Sequence, residues 1–222
     1  MWRLIRKFSF MFLLYQGLYY AFLFPALKYD RIVGPDPLDL SFVLYLSSYM
    51  VWLILGSIWA HEQWEDKNRG YHFLRNLPVR RWDLVGAKFS APLLSIALYL
   101  AVHLLWFRNI LESPESLGAA SANLWVTTSV CLVMAGLYIL GFYRFGYRRF
   151  GKIALPLWLF LIIAPLLFRI ILKEHFNIGG REIIQAVQQV NPTLVMCAGL
   201  AVYLGAFWLA LQWKWPSPVQ GD

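Results

Sequence analysis

Residues 41–88 read SFVLYLSSYMVWLILGSIWAHEQWEDKNRGYHFLRNLPVRRWDLVGAK, and the change of character inside this stretch decides the fold. Its first part, 41–60, has no charged side chain and is long and apolar enough to cross a bilayer as a helix. From residue 60 to residue 88 the chain carries ten formal charges: Glu62, Glu65, Asp66, Lys67, Arg69, Arg75, Arg80, Arg81, Asp83 and Lys88. A run so charged is expected to lie in water. Another apolar run, 89–107, follows at once, so the polar stretch is a loop between two membrane spans.

Working outward, the composition agrees. The 222 residues are 59% hydrophobic, 18% aromatic and only 14% charged, against about 25% charged in soluble domains. A membrane barrel would show short alternating segments, which are absent. The net charge of +8 does not call for nucleic acid, because the basic residues sit in short loops between apolar runs. There they set topology and meet anionic lipid head groups. Cys131 and Cys197 both fall in apolar runs and are expected to be buried free thiols.

The expected fold is all-α: a polytopic membrane protein of six transmembrane helices in one domain, 1–222. The spans are about 9–27, 41–60, 89–107, 122–142, 153–172 and 193–213. Residues 1–8 alternate Trp2, Leu4, Ile5 and Phe8 with Arg3, Arg6 and Lys7, which predicts a short interfacial helix. No small-x-small cleavage site follows the first apolar run, so a retained span is expected there. Residues 28–40 contain Gly34-Pro35 and Pro37 and form a turn. An acidic loop is expected at 108–119 and a basic loop at 143–152, with Arg144, Arg148, Arg149 and Lys152. Residues 180–190 read as an amphipathic helix on the outer face, capped by Asn191-Pro192. With both termini and the loops after spans two and four on one side, that side holds fourteen Lys/Arg and the other six. The positive-inside rule then makes both termini and residues 61–88 cytoplasmic, in an inner (plasma) membrane protein. Tryptophans at the span ends, including Trp59, Trp64, Trp82 and Trp106, read as interfacial anchors.

Two readings compete for the polar stretch. His61-Glu62-x-x-Glu65 begins like the zinc signature H-E-x-x-H, in which two histidines one turn apart hold the metal. Glu65 replaces the second histidine and no third ligand is evident, so a membrane-embedded metal-dependent hydrolase is the alternative reading. The other reading is docking. Gly70 interrupts the helix, 71–76 has room for a helical turn or two, and Leu77-Pro78 breaks the chain again. Tyr71, Phe73, Leu74 and Leu77 then offer apolar contact to a partner, while charges set register. Within the spans, Gln16 is the most central polar residue and a candidate for the pathway lining, an interhelical hydrogen bond being its other use. His103 and Arg169 lie near span ends, where they would reach water. Ala201-x-x-x-Gly205 offers a small-residue face for a dimer contact or for internal packing.

Asp66-Lys67-Asn68, Gly70, Leu74, Leu77-Pro78-Val79, Arg81, Val85 and Lys88 form a pattern that resembles the permeases of type-2 ABC exporters. The resemblance is local, about 30 residues, and the six-span layout extends it. It implies a dimer, or a pair with a related permease, driven by a separate ATP-binding cassette subunit. It implies that the loop after span two is the coupling element, with Glu65, Asp66, Gly70, Tyr71, Phe73, Leu74, Leu77, Pro78 and Arg81 at the ATPase contact. No phosphate-binding loop is present in the chain, so ATP and magnesium would sit on the partner, with no cofactor here. The scarcity of charge in the spans points to a hydrophobic or amphiphilic cargo, a peptide or a lipid-like molecule. A non-transporting scaffold or sensor is a third possibility.

Overall fold

The computed structural model describes residues 10, 14, 17, 40–67, 80–110, 114–175, 189 and 191–212. Four α-helices carry nearly all of them: α1 (Leu40–Lys67), α2 (Arg81–Ile110), α3 (Pro114–His175) and α4 (Pro192–Gln212). No strand occurs among the described residues.

Length alone shows how these helices are used. α1 has 28 residues, about 42 Å at 1.5 Å per residue, against a hydrocarbon core of about 30 Å. It is therefore longer than one crossing needs, and its charged residues lie in its last turns. α3 has 62 residues, roughly 93 Å if straight, far too long for one crossing. Gly146 resolves this with φ 73° and ψ 165°, a backbone conformation that a side chain makes costly. The chain folds back there. Tyr138 Oη donates to the Ala154 carbonyl oxygen at 2.7 Å, although sixteen residues of continuous helix would separate them by about 24 Å. The basic loop expected at 143–152 is thus helix on either side of one glycine. Likewise the expected acidic loop at 108–119 is helical up to Ile110 and again from Pro114.

Three segments are long and apolar enough to cross a membrane: Arg81–Leu105, Leu124–Leu157 and Pro192–Gln212. The second contains the Gly146 turn and so draws on two of the expected spans. With large apolar side chains exposed along α4, such as Leu194, Leu204 and Trp208, the protein is an all-helical, polytopic integral membrane protein. Residues 41–60, 89–107, 122–142, 153–172 and 193–212 are helical throughout. The first expected span, 9–27, lies outside the described residues except for Phe10, Leu14 and Gly17, each of them helical. The expected helices at 1–8 and 71–76 lie outside them too, as does 180–190 apart from Gln189.

α3 is the centre of the packing, with α1 on one side and α4 on the other; α1 and α2 touch each other little. Leu55 and Ile58 of α1, Leu132, Tyr138 and Ile139 of α3 and Tyr203 of α4 are all buried. α4 comes close to α3 because Gly199 has no side chain: a Cβ there would collide with Ser129, 2.9 Å from its Cα. Ser129 Oγ then donates to the Val195 carbonyl oxygen at 2.7 Å. Asn191 Oδ1 accepts from the Thr193 and Leu194 amides at 3.0 and 3.3 Å. Asn191 is therefore the N-cap of α4, with Pro192 in the first helical position.

Candidate functional site: the charged junction of α1 and α2

The last turns of α1 bring His61 and Glu62 each onto the side of Glu65, since residues three and four apart share a helix face. That face is turned inward. Glu65 is 0% exposed, Glu62 2% and His61 5%. Lys88, two turns into α2 and also buried, reaches between the two carboxylates. Its Nζ lies 2.6 Å from Glu62 Oε1 and 2.9 Å from Glu65 Oε2. His61 Nε2 lies 3.6 Å from Glu65 Oε1. Tyr143 of α3 closes the group, its ring centroid 5.5 Å from the ammonium, within cation–π reach. This part of the charged stretch is therefore not in water, contrary to expectation. Charges leave water only when paired, and here the pairing joins α1, α2 and α3.

The two carboxyls differ. Burial raises that of Glu62, against the pull of Lys88. Burial acts on Glu65 as well, but Lys88 and His61 together outweigh it and hold that carboxyl below the usual range.

One turn or more earlier in α2, Arg81 makes the second fastening. Its Nη2 donates to the Ala210 carbonyl oxygen at 2.9 Å, in the last turn of α4, where carbonyls lack helical partners and the helix dipole favours a cation. Trp82 packs edge-on against Phe207 at 5.1 Å and Phe89 against Tyr203 at 5.3 Å. Both flanks of 68–79 are thus tied to the helical body.

Of the residues expected at the coupling contact, Glu65 faces Lys88 in the interior and Arg81 is engaged with α4. Asp66 is half-buried. Gly70, Tyr71, Phe73, Leu74, Leu77 and Pro78 lie outside the described residues, and so does Gln16. Sequence reasoning did not foresee the role of Lys88, which it counted as a solvated base, nor that of Tyr143. The signal available was the spacing of Glu62 and Glu65 beside His61 on one face.

The profile of the family described as ABC-2 family transporter protein matches residues 2–213. The chain belongs to the ABC-2 transporter family. It is a membrane permease of an ABC transporter, a class of subunit that works with an ATP-binding partner. No curated protein and no solved structure matches it.

In this ABC-2 permease the hydrolase reading of His61-Glu62-x-x-Glu65 loses its ligands, because the Lys88 ammonium occupies the place between the carboxylates. No group of three His, Cys, Asp or Glu side chains fit to hold a metal occurs among the described residues. His103 does not reach water, as expected of it, but is 1% exposed. Its Nδ1–H donates to the Tyr99 carbonyl oxygen at 2.9 Å, and its ring stacks on Tyr99. Thr128 is likewise satisfied within its helix, on the Leu124 carbonyl oxygen. Cys131 is buried but Cys197 is exposed, against the expectation for both. Ala201 and Gly205 lie on the exposed side of α4, and a Cβ at Gly205 would meet nothing within 4 Å. Among the described residues that face is not used in internal packing.

Proposed function

We propose that this permease is half of an ATP-driven exporter, working as a dimer with two copies of a separate ATPase. Six spans place both termini on the cytoplasmic side of an inner (plasma) membrane, as the fourteen-to-six division of Lys and Arg supports. Residues 61–88 are the coupling region, and 68–79 meets the ATPase. The cargo is hydrophobic or amphiphilic, a peptide or a lipid-like molecule, in keeping with the low charge of the spans.

The observation that carries the coupling reading is the pair of fastenings at the base of 68–79. Glu62 and Glu65 on Lys88 join α1 to α2, and Arg81 on Ala210 joins α2 to α4. A segment held so at both ends transmits a push from a partner into three helices, where a loosely tethered loop would absorb it. ATP binding by the partner would then favour one of two permease arrangements. The test is co-purification of the ATPase with permease carrying Leu74→Asp or Leu77→Asp. The expected result is loss of the ATPase with the permease still inserted; undiminished association removes 71–77 from the contact.

A further inference from the structure

The turn within α3 concentrates positive charge. Arg144, Arg148, Arg149 and Lys152 are all exposed, and the sequence has no acidic residue between Glu115 and Glu174. From α1, Asp66 comes within electrostatic reach of Tyr147. Past Gly146 a new helical stretch begins, and three of the bases share one side of it. Arg148 and Lys152 are four residues apart, Arg149 and Lys152 three. The backbone break also makes 147–149 the first turn of that stretch, where amide dipoles favour an anion. Among the described residues none of these three bases has an ion-pair partner. Exposed apolar side chains border them, Phe145 at 54% and Ile153 at 62%.

Bases on a loop are ordinarily solvated, but depth argues otherwise for these. Lys88 of α2 meets Tyr143 of α3, which brings these levels of the two helices together. α2 leads away from Trp82 into the apolar run 89–107, and α3 reaches its turn out of the apolar run 122–142. Gly146 therefore lies three residues, about 4.5 Å, beyond the common level, and Trp82 six residues, about 9 Å, toward the same end. Trp82 is exposed, as suits an indole at the membrane–water interface. A turn closed by one glycine carries its bases no farther out than that, and the anions at this depth are lipid phosphates. We propose that Arg148, Arg149 and Lys152 form a binding site for an anionic phospholipid, with its phosphate on the three cations and its acyl chains against Phe145 and Ile153. Guanidinium groups suit a phosphate because each can bind two of its oxygens at once. The site requires only that the chain lie in a membrane, so it stands apart from the exporter reading.

Native mass spectrometry of the full-length permease in neutral detergent tests this, with titration by phosphatidylglycerol or by phosphatidylcholine of the same acyl chains. The wild type is expected to retain phosphatidylglycerol in preference. Arg148→Gln, Arg149→Gln and Lys152→Gln should each weaken that preference about fivefold, and the triple variant roughly a hundredfold. Lys67→Gln/Arg80→Gln removes two exposed bases outside the turn and should leave the preference as in the wild type. Equal retention of the two lipids by the wild type overturns the proposal before any variant is made, and so does unchanged preference in all three single variants. An equal loss in Lys67→Gln/Arg80→Gln would make the preference a general effect of charge and overturn the site. Displacement of phosphatidylglycerol by inorganic phosphate would make the turn a phosphate site instead. Loss of the partner ATPase from the triple variant, with lipid retention intact, would make it a protein contact.

Discussion

Two places in the chain, the α1–α2 junction and the turn within α3, are secured by different chemistry. At the α1–α2 junction the fastening is ionic: Lys88 between Glu62 and Glu65, with His61 and Tyr143 alongside. At the turn within α3 it is neutral. Gly146 makes the reversal, Phe142 and Phe150 meet edge-on at 4.9 Å, and Tyr138 reaches across to the Ala154 carbonyl oxygen. Aromatic packing and one hydrogen bond from a phenol to a backbone carbonyl carry no charge to lose. An ion cluster in a dry pocket holds only while its partners stay together. The difference suits a fixed turn in α3 and a junction in which movement has consequences.

Breaking the ionic fastening is expected to have the largest effect. Lys88→Met leaves two buried carboxyls without their cation, and losing one partner of a buried pair costs about 3–5 kcal/mol. Unfolding of the purified permease in detergent, followed by helix signal against denaturant, measures this. The informative companion is Glu62→Gln/Glu65→Gln/Lys88→Met, which removes the charges together. Most of the loss should be recovered, since removing a whole buried cluster is far milder than orphaning part of it. A triple variant as unstable as the single one would mean that Lys88 contributes through packing and not through charge.

Why this cluster was hard to see from the sequence is a matter of distance along the chain. Apolar runs declare themselves locally, so the helical stretches from 41 to 212 were legible from hydropathy alone. Glu62 and Lys88 lie 26 residues apart, and a charged residue near a span end reads as solvated unless its partner is known. Glu65 and Arg81 were recognised as belonging to the junction, as contacts for another subunit; that each meets a group of its own chain was not foreseen. The turn at 146 was read as a loop of ten residues because its bases were conspicuous. One glycine with a positive φ sufficed, and only the backbone shows that. Asn191-Pro192 was read as a cap for 180–190, and the N-cap it forms on α4 was not foreseen.

The α3 turn should answer to smaller changes. At φ 73° and ψ 165° Gly146 lies in a region essentially closed to other residues, and occupying it costs of order 1–3 kcal/mol. Gly146→Ala and Gly146→Asn should therefore be destabilised alike in the same unfolding measurement. Asn would be the milder change if the position were left-handed helical, where its side chain is tolerated. Space is not the obstacle, as a Cβ at Gly146 meets nothing within 4 Å. Near-wild-type stability for Gly146→Asn would show that the turn relaxes toward the left-handed region.

Tyr138→Phe is the smallest of these changes and the most specific to the neutral fastening. It keeps the ring, which packs edge-on at 5.7 Å from Phe150, and removes only the hydroxyl that meets Ala154. The expected loss is about 0.5–1.5 kcal/mol, the net contribution of one hydrogen bond. Its value lies in a second comparison. If the two reversals are independent, Tyr138→Phe and Lys88→Met should add within about 0.3–0.5 kcal/mol when combined. Yet Tyr143, which caps Lys88, lies on α3 between Tyr138 and the turn, and Phe142 beside it packs on Phe150. A coupling energy above that limit would mean that the aromatic turn is the wall against which the ion cluster closes, so that the fixed reversal sets the position of the movable one.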